Sequence, residues 1–207
     1  RTGEPKDTLL NIQETQEFTI SIINYGMVGQ ASLSSCEYER DIDEYLKSGL
    51  NRSASTIVKP PFVEESPFVM ECKLHDIIAL GGKPGSGNLI LGEIVMFHVS
   101  DNVLDNNNRV DPYLLDTVSR LGASWYSRSK DGIFELKKPR WNGIGFENIP
   151  KKIFKSKIIT ANELAVLASV DHIPDQVQNI YDKFRNESFQ VLENLCKDFI
   201  SENKLSE

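Results

Sequence analysis

Phe68-Val69-Met70-Glu71-Cys72-Lys73-Leu74-His75-Asp76-Ile77-Ile78-Ala79-Leu80, followed by Gly81-Gly82-Lys83-Pro84-Gly85-Ser86-Gly87-Asn88 and then residues 89–100, is the stretch on which the fold turns. Met70, Cys72 and Leu74 alternate with Glu71, Lys73 and His75, the period-two pattern of a strand with two distinct faces. The glycine-rich octet reverses the chain into a second strand, so the whole reads as a long antiparallel hairpin. Its glycines also invite a phosphate-loop reading, but their order is not G-x-x-x-x-G-K-[ST] and no helical pattern follows.

Toward the N-terminus, residues 17–24 set Phe18, Ile20 and Ile22 against polar neighbours, which predicts a half-buried strand. Before it, Arg1-Thr2-Gly3-Glu4-Pro5-Lys6-Asp7-Thr8-Leu9-Leu10-Asn11-Ile12 places two cations and a hydroxyl where a helix should start and run to near Glu17. Asp7 or Thr8 is the expected cap. Such a start has two readings: an ordinary helix N-terminus, or an anion site in which free N–H groups and the dipole are joined by Arg1 and Lys6. Residues 26–35 carry small and apolar residues at helical spacing, and residues 41–47 predict a second short helix stopped by Gly49. Residues 49–61, ending in Pro60-Pro61, show no strong period and are expected to cross the surface as a loop.

Toward the C-terminus, residues 101–109 form a polar loop, and Asp111-Pro112 opens a helical turn that ends near Asp116. Residues 118–126 and 133–139 follow. Beyond Trp141 the composition shifts: Lys151-Lys152 begins a basic linker, residues 161–169 form a short apolar helix, and residues 174–204 a long amphipathic one. Its stripe runs through Val177, Ile180, Tyr181, Phe184, Phe189, Leu192, Leu195 and Phe199. That helix either packs on its own domain or holds a partner.

The 207 residues hold 40% hydrophobic and 26% charged side chains, the balance of a globular chain. A formal charge of −7 argues against a nucleic-acid binder, which needs a surplus of Lys and Arg on one face. No run of about 18 apolar residues predicts a membrane span. Cys36, Cys72 and Cys196 are odd in number and far apart, which disfavours a disulfide framework or a zinc site and points to a reducing, cytoplasmic setting. Arg1 stands where a Met is usual, so a processed chain or a fragment is expected.

Four separated segments, in the right order, resemble the flavin reductase-like family of FMN-binding split-barrel flavoproteins. They are Lys6-Asp7-Thr8-Leu9 with Asn11-Ile12; Gly49-Leu50 through Lys59-Pro60-Pro61 to Glu65-Ser66-Pro67 and Glu71-Cys72; Leu91-Gly92-Glu93-Ile94-Val95 to His98-Val99; and Arg120-Leu121-Gly122 to Tyr126. The resemblance implies a mainly β fold with short helices (α+β), an FMN-binding split β-barrel over residues 1–145. Residues 146–207 would be a linker and a helical C-terminal extension. It also implies a homodimer that takes hydride from NADH or NADPH onto FMN, with the isoalloxazine doing the chemistry.

Carried over residue by residue, Arg1, Gly3, Lys6 and Thr8 fall on the FMN-phosphate side, where two cations and a hydroxyl suit a dianion and Gly3 permits close approach. Arg120 and Tyr126 are candidates for flavin or nicotinamide contact, or for an ion pair and interface packing. His98, read on the Ile94, Met96, His98 face of its strand, is either a weak catalytic candidate or a satisfied, half-buried histidine. His75 and His172 receive no role. Two features depart from the family: Gly85-Ser86-Gly87 stands where some members carry Gly-Asp-His, and the N-terminal strands with the Pro-Arg-Pro-like and Ala-Pro-Phe-Ser segments have no counterpart. The alternative function is a non-catalytic split-barrel module that dimerises or binds a ligand and uses its C-terminal helix to hold a partner.

Overall fold

The computed structural model of the chain describes residues 5–83, 85–136, 138, 142–172, 191, 194, 195, 197, 198 and 200. The chain divides into two compact units, Arg1–Phe134 and Glu135–Glu207. In the first, α1 (Asp7–Thr15) leads into β1 (Glu17–Ser21), and a 3-10 turn at Tyr25–Met27 leads into α2 (Val28–Leu33). After α3 (Glu44–Ser48) come the two-residue strands β2 (Arg52–Ser53) and β3 (Phe62–Val63), then the long pair β4 (Phe68–Ala79) and β5 (Asn88–Val99). A short helix α4 (Pro112–Leu115) precedes a small ribbon, β6 (Val118–Gly122) and β7 (Trp125–Arg128).

Several local signals act as the sequence predicts. Gly49 closes α3 in the left-handed region, φ 67°, and its N–H returns to the Tyr45 carbonyl. Asp111 caps α4 by accepting from the Tyr113 and Leu114 N–H groups, with Pro112 at the first helical position. β1 stops at Ser21, short of the expected Asn24, because the Asn24 side chain accepts from the Met27 N–H and caps the 3-10 turn instead.

The organising sheet is three-stranded and antiparallel, in the order β1-β4-β5. Its cross-strand rows alternate in character. Phe18, Cys72 and Ile94 share one row, and Ile20, Met70 and Phe97 another, on the same face; Thr19, Glu71 and Met96 share a row on the opposite face, as do Ser21, Val69 and His98. Two bulges interrupt the hairpin. Val95 is the extra residue between the Glu71–Met96 and Cys72–Ile94 pairs, and His75 the extra one between Leu74–Gly92 and Asp76–Leu91. The first corrects the sequence reading: Ile94 lies on the apolar face, whereas Met96 and His98 lie on the Glu71 face. Gly92 is required by close approach, since a Cβ there would stand 2.4 Å from Cζ of Phe18.

Cys72 and Val69 are fully buried in this sheet, yet Ile20, Ile94 and Phe97 on the apolar face remain 41%, 44% and 54% exposed. The sheets, of three, two and two strands, do not close into a barrel among the described residues.

The second unit holds α5 (Lys151–Phe154) and α6 (Ala161–Ala168). Ile149, Ile159, Leu164 and Ala168 form its core, and a capping box joins Thr160 to Glu163 at the start of α6. The long helix expected over residues 174–204 lies mostly outside the described residues; of those that are described, Ile200 is buried and Lys197 pairs with Glu163 at 3.8 Å. No described helix is long and apolar enough to cross a membrane.

Candidate functional site

The N-terminus of α1 differs from the predicted cap. Lys6, not Asp7 or Thr8, occupies the cap position with extended backbone, and its carbonyl accepts from Leu9 and Leu10. Asp7 sits in the first turn with its carboxylate taken by Arg40 Nη1 at 3.0 Å. Among the described residues no side chain caps the helix. Among the described residues, neither the Lys6 ammonium nor the Thr8 hydroxyl has a partner. Thr8 lines a groove of about 510 Å³ between α1, β1 and the segment 55–61, together with Asn11, Phe18, Tyr45 and Lys59.

Segment 55–61 crosses the surface as a loop, as its lack of periodicity suggests, but it is fastened from below. Glu71, with no exposed surface, sends its carboxylate beneath it: Oε1 accepts from the Thr56 N–H at 2.7 Å, and Oε2 from Ile57 and Val58 at 2.7 and 2.9 Å. His98 Nε2 completes the set at 2.6 Å from Oε1 and lies against the Phe62 ring, 4.7 Å between centroids. Burial alone would raise the Glu71 carboxyl, but the three backbone N–H groups and His98 outweigh it and hold the carboxyl at about 2. Glu71 is therefore an anion at neutral pH that fixes the strap.

β1 secures the same strap with side chains two residues apart. Glu17 Oε2 accepts from the Lys59 N–H at 2.9 Å, the Thr19 hydroxyl donates to the Pro61 carbonyl at 2.9 Å, and Ser21 Oγ accepts from the Val63 N–H at 3.2 Å. The Ser55 hydroxyl closes the strap on the Pro60 carbonyl. Val58 is buried by this arrangement and Lys59 is left exposed.

A second, smaller groove of about 220 Å³ lies where β6 and β7 meet α2, lined by Tyr25, Val28, Tyr126 and Arg128 among others. Its edge is tied by Arg128, whose guanidinium grips Asp116 through Nε at 2.8 Å and Nη2 at 2.6 Å while lying 3.9 Å over the Tyr25 ring. Hydrogen bonding to Arg128 keeps the Asp116 carboxyl below its ordinary range.

Of the candidate residues, Arg1 and Gly3 lie outside the described residues. Lys6 and Thr8 stand together at the start of α1. Tyr126 faces the second groove, and Arg120, its register partner, donates to the Ala123 carbonyl at 3.1 Å in the turn of the ribbon. His98 is engaged by Glu71. Lys59 was not among the candidates; the available signal was a lone cation fixed in front of two prolines. Glu71 was missed because alternation marks it as polar without saying that a loop covers it. Cys36 and Cys72 are free, and burial pushes the Cys72 thiol up.

An uncharacterized protein of Halalkalibacterium halodurans is 31% identical over 139 residues, 66% of this chain and 66% of that protein. The chain spans less than two thirds of the length of such curated relatives. Among solved structures, nitrilotriacetate monooxygenase component B from Bacillus cereus matches with a TM-score of 0.59 and 27% identity over 67% of each chain. A Shewanella frigidimarina structure described as a "putative flavin reductase with split barrel domain" matches at 0.56 and 29%, over 64% of each. The strand-rich architecture with short helices is similar to that of these solved structures, and with residues 2–121 matching the "Flavin reductase like domain", the chain belongs to the flavin reductase-like family.

Proposed function

We propose that the protein is an FMN-dependent flavoprotein that accepts hydride from NADH or NADPH, and that it works as a homodimer in the cytoplasm. The observation that carries the reading is the start of α1: among the described residues, a helix end without a side-chain cap and an unpartnered Thr8 hydroxyl, with Lys6 at the cap position, Asp7 engaged by Arg40, and Lys59 lining the same groove as Thr8. These donors suit a phosphate monoester, which needs N–H and O–H donors and cations; the Glu17 carboxylate that also lines the groove is turned to the Lys59 N–H. A bound flavin would supply the hydride acceptor and electron relay.

The chain's own residues then have limited tasks. Thr8 and Lys6, with Arg1 and Gly3 before them, hold the phosphate. Arg120 and Tyr126 bear on the flavin or the nicotinamide from the ribbon. His98 is assigned to holding Glu71 rather than to proton transfer, since its Nε2 is already spent on that carboxylate. The half-exposed Ile20, Ile94 and Phe97 support a second subunit covering the apolar face of the sheet.

The test is uptake of FMN by the purified protein, followed by anaerobic bleaching of the flavin bands on adding NADH or NADPH. Lys6→Ala combined with Thr8→Ala should raise the Kd for FMN while leaving riboflavin, which lacks the phosphate, nearly unchanged. A protein that takes up no flavin refutes the reading, and equal losses for FMN and riboflavin refute the phosphate assignment.

A further inference from the structure

We propose that Lys59 is a phosphate-binding cation of the α1 groove and that Glu71 and Glu17 are its positioning residues. The proposal deepens the FMN reading and rests on it. Four consecutive backbone N–H groups, those of Thr56, Ile57, Val58 and Lys59, are bound to two carboxylates. A surface loop can leave such groups to water at little cost, whereas burying a carboxylate is expensive unless its hydrogen bonds are complete. What the arrangement achieves is a fixed backbone at Lys59, followed at once by the stiff pair Pro60-Pro61.

Lys59 is the one cation among the described residues lining the groove, and Thr8 lines the same groove. Its ammonium pairs with no carboxylate among the described residues. Glu17 of β1, which lines the same groove, accepts the Lys59 backbone N–H. A cation with its main chain fixed and its side chain left free among the described residues, lining the same groove as the Thr8 hydroxyl, is set out for an external anion. The anion that fits, given Thr8 and Lys6, is the phosphate monoester of FMN.

The experiment measures FMN and riboflavin Kd by flavin fluorescence for wild type, Lys59→Ala, Lys59→Arg, Glu17→Ala and Glu71→Gln. Lys59→Ala should weaken FMN about tenfold or more, the scale of one charge-assisted contact, leave riboflavin unchanged, and flatten the salt dependence; Lys59→Arg should restore FMN binding. Glu17→Ala and Glu71→Gln should each lower the FMN preference over riboflavin, and less than additively when combined with Lys59→Ala. FMN binding by Lys59→Ala within twofold of wild type, or equal losses for both flavins, overturns the Lys59 assignment. A wild-type preference retained in Glu17→Ala overturns the positioning role, and that exposed-edge variant tests it even where Glu71→Gln does not fold. Should wild type bind neither flavin, the FMN reading fails; the cation assignment is then decided by whether inorganic phosphate raises the Tm of wild type but not of Lys59→Ala.

Discussion

Replacing Glu71 by Gln should destabilise the first unit by roughly 3 kcal/mol at neutral pH, a figure that two routes reach. The first counts hydrogen bonds. One amide oxygen can keep Ile57 and Val58, but the amide NH₂ then points at the Thr56 N–H, donor against donor, and only His98 can adapt by accepting. One bond to an anion is lost and two others lose their charge assistance, together worth roughly 3 kcal/mol. The second route is titration. Moving the carboxyl from 4.5 down to about 2 corresponds to about 3 kcal/mol at 1.4 kcal/mol per pH unit. Because the folded value is depressed, this stability is fully present above about pH 4.5 and is lost as pH falls toward about 2. Urea unfolding of wild type and Glu71→Gln at pH 7, 5 and 3 checks both routes. The gap between them should be widest at pH 7 and 5 and should narrow at pH 3. A gap under about 1 kcal/mol at pH 7, or one that does not change with pH, would refute the clasp as the source of strap stability.

Gly92→Ala forces the Phe18 ring off β5 and should cost about 1 to 3 kcal/mol by overpacking, read by urea unfolding; the added Phe18→Leu change should recover part of it. Arg128→Lys keeps the charge but loses the bidentate grip on Asp116 and the stacking on Tyr25, so amide exchange of the Tyr25 and Ser129 N–H groups should speed up, whereas Lys130→Arg should leave it unchanged. Phe97→Asp places a charge at the β5 end of the half-exposed apolar row; sedimentation equilibrium should show a monomer against the dimer proposed for wild type, and an undisturbed dimer would move the proposed interface elsewhere.

Local rules read well wherever a single residue dictates the backbone. Gly49 had to be left-handed to end α3, and Asp111-Pro112 had to start a helical turn; both are found as the sequence implies. The β4–β5 hairpin was legible because alternation sustained over many residues matches the two-residue period of a strand and no helical period. Bulges were not, since inserting Val95 or His75 changes no residue type and only shifts parity, which is how Ile94 and His98 came to be read on one face. The candidate site was legible only at its α1 edge. Glu71 looks like any outward carboxylate, and its burial follows from a strap 13 to 15 residues earlier in the chain that no local pattern links to it.

The same parity explains why the strap belongs where it does. Glu17, Thr19 and Ser21 of β1 engage Lys59, Pro61 and Val63 in turn, so every second residue of the strand serves every second residue of the strap's end and of β3, which continues it. Glu71 and His98 lie in the cross-strand rows of Thr19 and Ser21, and they hold the strap's beginning. The polar half of the alternation, which a free sheet would leave to water, is therefore consumed in fixing one aperiodic segment. The apolar half, Phe18, Ile20, Met70 and Phe97, is left to be covered from the other side. Because strand faces alternate strictly, a one-residue slip of β1 would turn all three strap-holding side chains away and bring Phe18 and Ile20 beneath the strap. Strap position, groove shape and the place of Lys59 are thus set by one register, and the bulge at Val95 is what lets His98 share the Glu71 face while Ile94 stays on the apolar one.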